Sequence, residues 1–147
     1  MDQALIYSWY EQYKNGIYRY ALSITKDTHL AEDVLQDTFL KLLSGEKPRH
    51  PDMAQAWLYR VARNLCLDHL RRVKREQSHS KMPSEAQNQY AYIELISVLS
   101  PKEQEIVTLK IVGGLTHGEI GTVLGISAKA AQKRYQRAIA VLREQEE

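Results

Sequence analysis

The chain has 147 residues, of which 44% are hydrophobic and 26% charged, with a formal net charge of +2. This composition is typical of a globular protein and excludes a mainly disordered one. The single cysteine, Cys66, excludes an internal disulfide, and no apolar run reaches the roughly 18 residues of a membrane span. A cytoplasmic protein without a signal peptide is therefore expected.

The first two predicted helices lie in the N-terminal third. Apolar side chains at helical spacing indicate a helix over residues 2–24. Its apolar stripe consists of Leu5, Trp9, Tyr13, Ile17 and Tyr20. A second helix is predicted from Thr28 to Leu43, with Glu32 and Asp33 in its first turn, where the helix dipole favours acidic side chains.

A third helix and a basic segment follow. The prolines of residues 48–51 break the chain, and Asp52 can cap a helix that continues to Arg75. Residues 59–81 contain seven basic and two acidic side chains, a net charge of +5. The polar composition of residues 77–89 then predicts a linker.

The last third of the chain carries the most informative pattern. Ser100 and Thr116 each begin a capping box, with a glutamate three residues further on. The helix after Thr116 ends at Gly125, and Ser127 caps the next helix. This order predicts a helix-turn-helix. Residues 106–138 contain five basic and one acidic side chain, a net charge of +4.

The helix after Ser127 has two distinct faces. Smaller or apolar side chains predict a buried stripe of Ala131, Tyr135, Ala138 and Leu142. The side chains left for solvent or a ligand are Lys129, Gln132, Lys133, Gln136 and Arg137. A cationic, amide-bearing face on a packed helix suits the DNA major groove. Together with the basic segment at residues 59–81, it favours a nucleic-acid ligand.

The predicted fold class is all-α, with two small helical domains. We assign residues 1–76 to the first domain, 77–89 to the linker and 90–147 to the second domain. Cys66 and His69 are three residues apart but supply too few ligands for a zinc site. Neither a catalytic arrangement of side chains nor a cofactor site is predicted, so the sequence does not support an enzyme.

Three blocks of sequence, in this order, resemble one protein family. They are residues 31–40 (AEDVLQDTFL), residues 57–64 (WLYRVARN) and the segment from Leu99 through the helix-turn-helix. The chain resembles the sigma-70 family of bacterial RNA polymerase sigma factors, and within it the extracytoplasmic-function (ECF) class, which keeps only regions 2 and 4.

The resemblance implies that region 2 binds the polymerase core through the β′ clamp helices and engages the minus-ten promoter element as it melts. The matching core-binding residues are Asp33, Gln36, Asp37 and Leu40. The matching minus-ten candidates are Arg63, Asn64, Arg71 and Arg72. We expect Asn64 to contact a base edge, and Arg71 and Arg72 to contact phosphates. Trp57 is expected to pack in the core.

The resemblance also implies that region 4 contacts the β flap and reads the minus-thirty-five element as duplex DNA. The candidates there are Thr116, Ser127, Lys129, Gln132, Lys133, Arg134 and Arg137. This chain has Ala130, Ala131 and Gln132 where the family commonly has threonine, valine and lysine, and Gly121 where alanine is common. An anti-sigma factor is a further partner that the class implies.

Two alternatives stay open on the sequence. The first is a transcriptional regulator whose helix-turn-helix binds an operator while the N-terminal lobe dimerises or senses a signal. The second is a sigma-like adaptor that binds core or an inhibitor but has lost promoter recognition, which the altered recognition helix would permit. Specific transcription from core polymerase separates a sigma factor from both.

Overall fold

The structure is a computed structural model that describes residues 2–76 and 87–145. Its α-helices are α1 (Gln3–Thr25), α2 (Thr28–Leu43), α3 (Ala54–Glu76), α4 (Gln87–Ile96), α5 (Pro101–Val107), α6 (His117–Leu124) and α7 (Ala128–Glu144). A 3₁₀ turn at Pro51–Met53 precedes α3, and a π-helical turn at Thr108–Val112 follows α5. No strand occurs in these two ranges, and the all-α prediction is confirmed.

The boundary between α1 and α2 is set by two neighbouring residues. Lys26 ends α1 in the left-handed conformation, with φ at 56°. The Asp27 side chain then accepts hydrogen bonds from two backbone N–H groups of α2, at 2.8 and 3.1 Å. With Asp27 as the cap, Glu32 and Asp33 lie in the second turn. Their predicted place in the first turn was wrong, although the helix itself begins at Thr28 as expected.

Helices α1, α2 and α3 pack against one another and form the N-terminal lobe. In the predicted apolar stripe of α1, three side chains are buried and two are partly buried against the same core. The buried members are Trp9, Ile17 and Tyr20; the partly buried ones are Leu5 and Tyr13. The helical periodicity therefore identified the packed face of α1 correctly.

The start and end of α3 differ in detail from expectation. Asp52 lies inside the 3₁₀ turn that leads directly into α3, so its predicted role as the helix cap was wrong. Trp57 packs against the core but stays partly exposed. Helix α3 ends at Glu76 and α4 begins at Gln87, within the predicted linker. Residues 77–86 lie outside the described residues, and the domain division stays a prediction.

The C-terminal lobe comprises α4 to α7 and contains the helix-turn-helix of α6 and α7. Both predicted capping boxes are present, because the Ser100 and Thr116 side chains each bond the backbone N–H of the glutamate three residues later. Gly125 ends α6 with φ at 73°, and Ser127 Oγ accepts from a backbone N–H of α7 at 3.0 Å. These local features confirm the predicted helix-turn-helix.

Gly121 has a steric role that helix propensity alone does not reveal. Its carbonyl oxygen accepts hydrogen bonds from the backbone N–H groups of Gly125 and Ile126, at 2.8 and 2.9 Å. This draws the turn against α6, so a Cβ atom at position 121 would clash with the Ile126 carbonyl oxygen. The glycine permits a close approach between the two helices of the motif.

The two lobes pack directly on each other. Helix α3 contacts α6, and α1 contacts α5 and the π-helical turn. Tyr59 of α3 is buried in this contact: Cβ atoms built at Gly16 and Gly113 would meet its phenol ring. Gln55 Nε2 donates to the Gly113 carbonyl oxygen at 2.7 Å. Two glycines, one from each lobe, thus make room for one tyrosine.

Candidate functional site

The four predicted core-binding residues lie together on α2. Asp33, Gln36, Asp37 and Leu40 follow the three- and four-residue spacing of one helix face. Asp33 and Gln36 are exposed, Asp37 is partly exposed, and the Leu40 side chain is 56% exposed. The face therefore combines negative charge, an amide and an uncovered apolar side chain.

An apolar groove of about 550 Å³ lies beside this face, between α1 and α2. Gln36 and Leu40 line it together with Tyr7, Tyr10 and Leu43. Tyr7 is 65% exposed and Leu43 58% exposed. The sequence reasoning missed both residues, because each is a single apolar residue outside the packed stripe of its helix.

Three of the predicted minus-ten residues are exposed on α3. Asn64 is exposed, and Arg71 Nη1 bonds Asp68 Oδ1 at 3.1 Å. Arg72 Nη2 lies 3.4 Å from His69 Nδ1. Because both partners of the Arg71 ion pair are well exposed, the pair contributes little stability and leaves the arginine available.

Arg63 is the exception among these residues, since it is engaged by the other lobe. Its Nε donates to Glu105 Oε2 at 2.8 Å, and Tyr20 Oη donates to the same oxygen at 3.0 Å. The Arg63 and Glu105 side chains are only 26% and 14% exposed. Burial alone would lower the pKa of Arg63, but the hydrogen bond and charge of Glu105 raise it overall.

Tyr20 is the third member of this cluster and is fully buried. Burial, and then the charge of Glu105, raise its pKa well above the ordinary value. The phenol therefore stays neutral and serves as a hydrogen-bond donor to the carboxylate. One Glu105 oxygen thus joins α1, α3 and α5.

The exposed face of α7 matches the sequence expectation. Lys129, Gln132, Lys133 and Arg137 are all exposed, with Ser127 at the start of the helix. Thr116 is exposed at the start of α6. The Thr116 and Ser127 hydroxyl oxygens accept capping bonds, and their O–H groups remain free to donate to a phosphate.

Two residues of α7 lie elsewhere than on this face. Of the three residues of α7 that depart from the common family pattern, Ala131 is buried. The other two, Ala130 and Gln132, lie on the exposed face. Arg134 is partly buried and lines a cavity of about 180 Å³ between the lobes, together with Arg63. The two basic segments of the sequence, which are far apart along the chain, therefore meet at this cavity.

Two family models match the chain. The model described as "Sigma-70 region 2" matches residues 9–76, and that described as "Sigma-70, region 4" matches residues 89–142. The chain belongs to the sigma-70 family. The first match contains the exposed face of α2 and the basic side of α3, and the second contains the helix-turn-helix.

Curated relatives of this sigma-70 family member are named as ECF RNA polymerase sigma factors. SigM of Bacillus subtilis is 43% identical over 67 residues, which cover 46% of this chain and 41% of SigM. SigE of Mycolicibacterium smegmatis is 29% identical, with 97% of this chain and 63% of SigE covered. The chain thus spans less than two thirds of these two relatives. SigL of Mycobacterium tuberculosis is 27% identical, with 97% and 89% covered.

Solved structures share the fold of this family member. CnrH, solved in complex with the cytosolic domain of CnrY, has a TM-score of 0.75 at 24% identity and covers 97% of this chain and 88% of its own. The sigma factor RpoE, solved with the anti-sigma factor NepR from Bartonella quintana, has a TM-score of 0.69 at 20% identity, with 93% of each chain covered. In the residues described here, no helix is long and apolar enough to cross a membrane.

Proposed function

We propose that this chain is an ECF sigma factor that binds RNA polymerase core and directs promoter-specific transcription initiation in the cytoplasm, without catalysis of its own. One observation carries the proposal. A single chain combines an exposed acidic and apolar face on α2 with a helix-turn-helix whose second helix has an exposed cationic face. A partner protein and DNA are the respective ligands that these two surfaces suit.

The α2 face is proposed to bind the β′ clamp helices. Asp33 and Asp37 supply negative charge that orients a basic partner, and Leu40 supplies apolar area. The neighbouring groove adds the exposed rings and methyl groups of Tyr7 and Leu43. A central apolar contact bordered by charge is the usual composition of a specific protein interface.

Promoter DNA is proposed to bind at two places on the chain. Asn64, Arg71 and Arg72 of the first domain, residues 1–76, contact the melted minus-ten strand. The exposed side chains of α7 in the second domain, residues 90–147, contact the minus-thirty-five duplex, and this domain also contacts the β flap. With residues 77–89 as a linker, two modest affinities combine when both sites are held at the right distance.

Arg63 constrains how the proposed sigma factor acts. Its Nε cannot bond a DNA phosphate while it donates to Glu105. Only its Nη groups stay available in the packed arrangement, so we propose that the lobes separate before the whole guanidinium faces the promoter and that binding to core supplies the free energy for this separation. An anti-sigma factor, the partner that the class implies, would oppose core by binding an arrangement of the lobes to which core does not bind.

The experiment is core binding and promoter opening by matched variants. Asp37→Arg should weaken binding to purified core about tenfold or more, whereas Asp52→Arg, an equal charge reversal on the exposed 3₁₀ turn, should not. Asn64→Ala should impair promoter opening and leave core binding intact. Its control is Asn15→Ala, at an exposed position of α1, which should change neither.

The remaining outcomes distinguish the alternatives. DNA binding by the chain alone, without any association with core, would indicate the helix-turn-helix regulator. Core binding without a change in transcription start sites would indicate the adaptor, an outcome that the altered and exposed Ala130 and Gln132 of α7 would permit. Core binding with new start sites supports the proposed sigma factor.

A further inference from the structure

The cavity between the lobes has an unusual distribution of charge. It encloses about 180 Å³, and its lining comes from both lobes. The lining residues are Arg63, Lys102, Glu105, Leu124, Ile126 and Arg134. Three of these side chains are basic and only Glu105 is acidic, so the cavity carries excess positive charge.

The excess positive charge is not neutralised by the protein. Glu105 already accepts from Arg63 at 2.8 Å and from Tyr20 at 3.0 Å. Within the described residues, neither Lys102 nor Arg134 has an ion pair or a side-chain hydrogen bond. Two cations therefore line the cavity without a partner from the described residues: Lys102, which is exposed, and Arg134, which is partly buried.

Arg134 differs from the other basic residues of α7. Lys129, Lys133 and Arg137 are exposed to solvent, which satisfies their donors. Arg134 is partly buried. It lies three residues after the buried Ala131 and four residues before the buried Ala138, which places it on the packed side of the helix. A guanidinium has five N–H donors, and the nitrogen atoms of Arg134 are not among the buried, unpartnered atoms of the described residues, so they are accessible from the cavity. An anion in the cavity would replace water as their acceptor and would also neutralise the charge.

We propose that this cavity is a binding site for a small phosphorylated ligand. A phosphoryl group carries a charge close to −2 at neutral pH, which matches the two unpaired cations, and its several oxygens accept from both. The guanidinium of Arg134 suits bidentate contact with it, while Lys102 acts as a point charge. Leu124 and Ile126 form an apolar wall for the organic part of a phosphate ester.

The site has a consequence for the arrangement of the lobes. Arg63 belongs to α3, whereas Lys102 and Arg134 belong to the other lobe. A ligand that contacts all three binds the packed arrangement better than a separated one and therefore stabilises it. The ligand therefore lowers the affinity for any partner that separates the lobes. By thermodynamic linkage, that partner lowers the affinity for the ligand by the same factor.

Calorimetric titration of the full chain with sodium pyrophosphate, at physiological ionic strength, tests the proposal. We expect saturable one-to-one binding that Arg134→Gln and Lys102→Gln each weaken about tenfold. Arg137→Gln removes the same charge from the exposed face of α7 and should leave the affinity within about twofold. Circular dichroism and thermal unfolding of each variant ensure that the compared proteins are folded.

A parallel titration with adenosine diphosphate separates two sources of the phosphoryl group. Equal affinity for both probes would show that the site recognises the phosphoryl groups alone. Tighter binding of the nucleotide would show that the ligand is a phosphate ester whose organic part contacts the apolar wall. The proposal is overturned if neither probe binds saturably, or if Arg137→Gln weakens binding as much as Arg134→Gln does. The latter result would mean general attraction of anions to a basic helix.

Discussion

Arg63 and Glu105 join the two lobes through a 2.8 Å bond between Nε and Oε2, across 42 residues of sequence. Arg63 is a predicted promoter contact, so the same side chain has two competing acceptors, a carboxylate within the chain and a phosphate of DNA. The bond is well shielded, because both side chains are largely covered. In the packed arrangement Glu105 holds the Nε of Arg63, which leaves only the Nη groups for another acceptor.

Replacing Glu105 should loosen the contact between the lobes. Glu105→Gln removes the charge that pairs with Arg63 and weakens the acceptor of the Tyr20 hydroxyl, so the free energy of unfolding should fall by about 1–3 kcal/mol. Urea denaturation measures this. Glu94→Gln, on the exposed surface of α4, should change it by less than about 0.5 kcal/mol. A double-mutant cycle with Arg63→Gln should give a clear coupling energy, and additive effects would contradict the bond.

Gly121→Ala should destabilise the helix-turn-helix despite the better helix propensity of alanine. The new methyl group meets a backbone carbonyl that cannot move without distorting the turn, and we expect a loss of about 1–2 kcal/mol. Gly118→Ala is the matched control in the same helix. Its Cβ would meet only the Thr116 hydroxyl at 3.9 Å, so this variant should gain up to about 1 kcal/mol. Equal shifts in thermal unfolding for the two variants would refute the steric explanation.

The apolar groove between α1 and α2 should contribute to core binding. Tyr7→Ala and Leu43→Ala each remove exposed apolar area beside Leu40, and each should lower the affinity for core about tenfold. Fluorescence anisotropy of the labelled chain measures the affinity. Met53→Ala removes an exposed apolar side chain from the 3₁₀ turn of the same lobe and should have no effect. A groove that is irrelevant to core would leave all three variants at the wild-type affinity.

Cys66 should be unreactive in the native protein. The residue is buried, and this burial raises the pKa of its thiol from 9.0 to about 12. At about pH 8 only about one thiol in 10,000 is then ionised, compared with about one in ten for an exposed cysteine of the ordinary pKa. Alkylation by iodoacetamide, followed by mass spectrometry, should be negligible until the chain is unfolded in urea. Rapid native labelling would contradict the packing of α3.

The same burial predicts that alkaline pH destabilises the fold. Because the pKa of Cys66 is raised in the folded state, the stability it contributes is complete below pH 9.0 and is lost as the pH rises towards about 12. Tyr20 and Tyr59, whose pKa values are also raised chiefly by burial, act in the same direction. The free energy of unfolding should fall less steeply over this range in Cys66→Ala than in the wild type. A parallel fall in both proteins would show that the thiol does not titrate as described.

Local features were predictable from the sequence because their partners are a few residues apart. The caps at Ser100, Thr116 and Ser127 are formed within three residues, and they fixed the helix-turn-helix. The apolar stripes of α1 and α7 follow from helical periodicity. The errors were also local and concern acidic residues near the starts of α2 and α3. Asp27 caps α2, so Glu32 and Asp33 lie in its second turn and not in the predicted first turn, and Asp52 enters a 3₁₀ turn and does not cap α3.

Contacts between the lobes could not be predicted in this way. Neither the charge pattern nor the periodicity indicates that Arg63 pairs with Glu105, or that Tyr59 lies between Gly16 and Gly113. Such contacts depend on how two helical units approach each other. In the sequence, Arg63 and Arg134 are only two members of two separate basic segments. The structure brings Arg63 and Arg134 to one cavity, where their chemistry differs from that of exposed basic residues.

Mapping of RNA 5′ ends tests the central claim most directly. Purified core polymerase transcribes genomic DNA of the source bacterium with and without the chain, and with Asp37→Arg as a negative control. We predict a small set of new start sites, each preceded at constant spacing by shared minus-ten and minus-thirty-five sequences, that disappears with the variant. An unchanged distribution of start sites in the presence of saturating chain would contradict the assignment as a sigma factor.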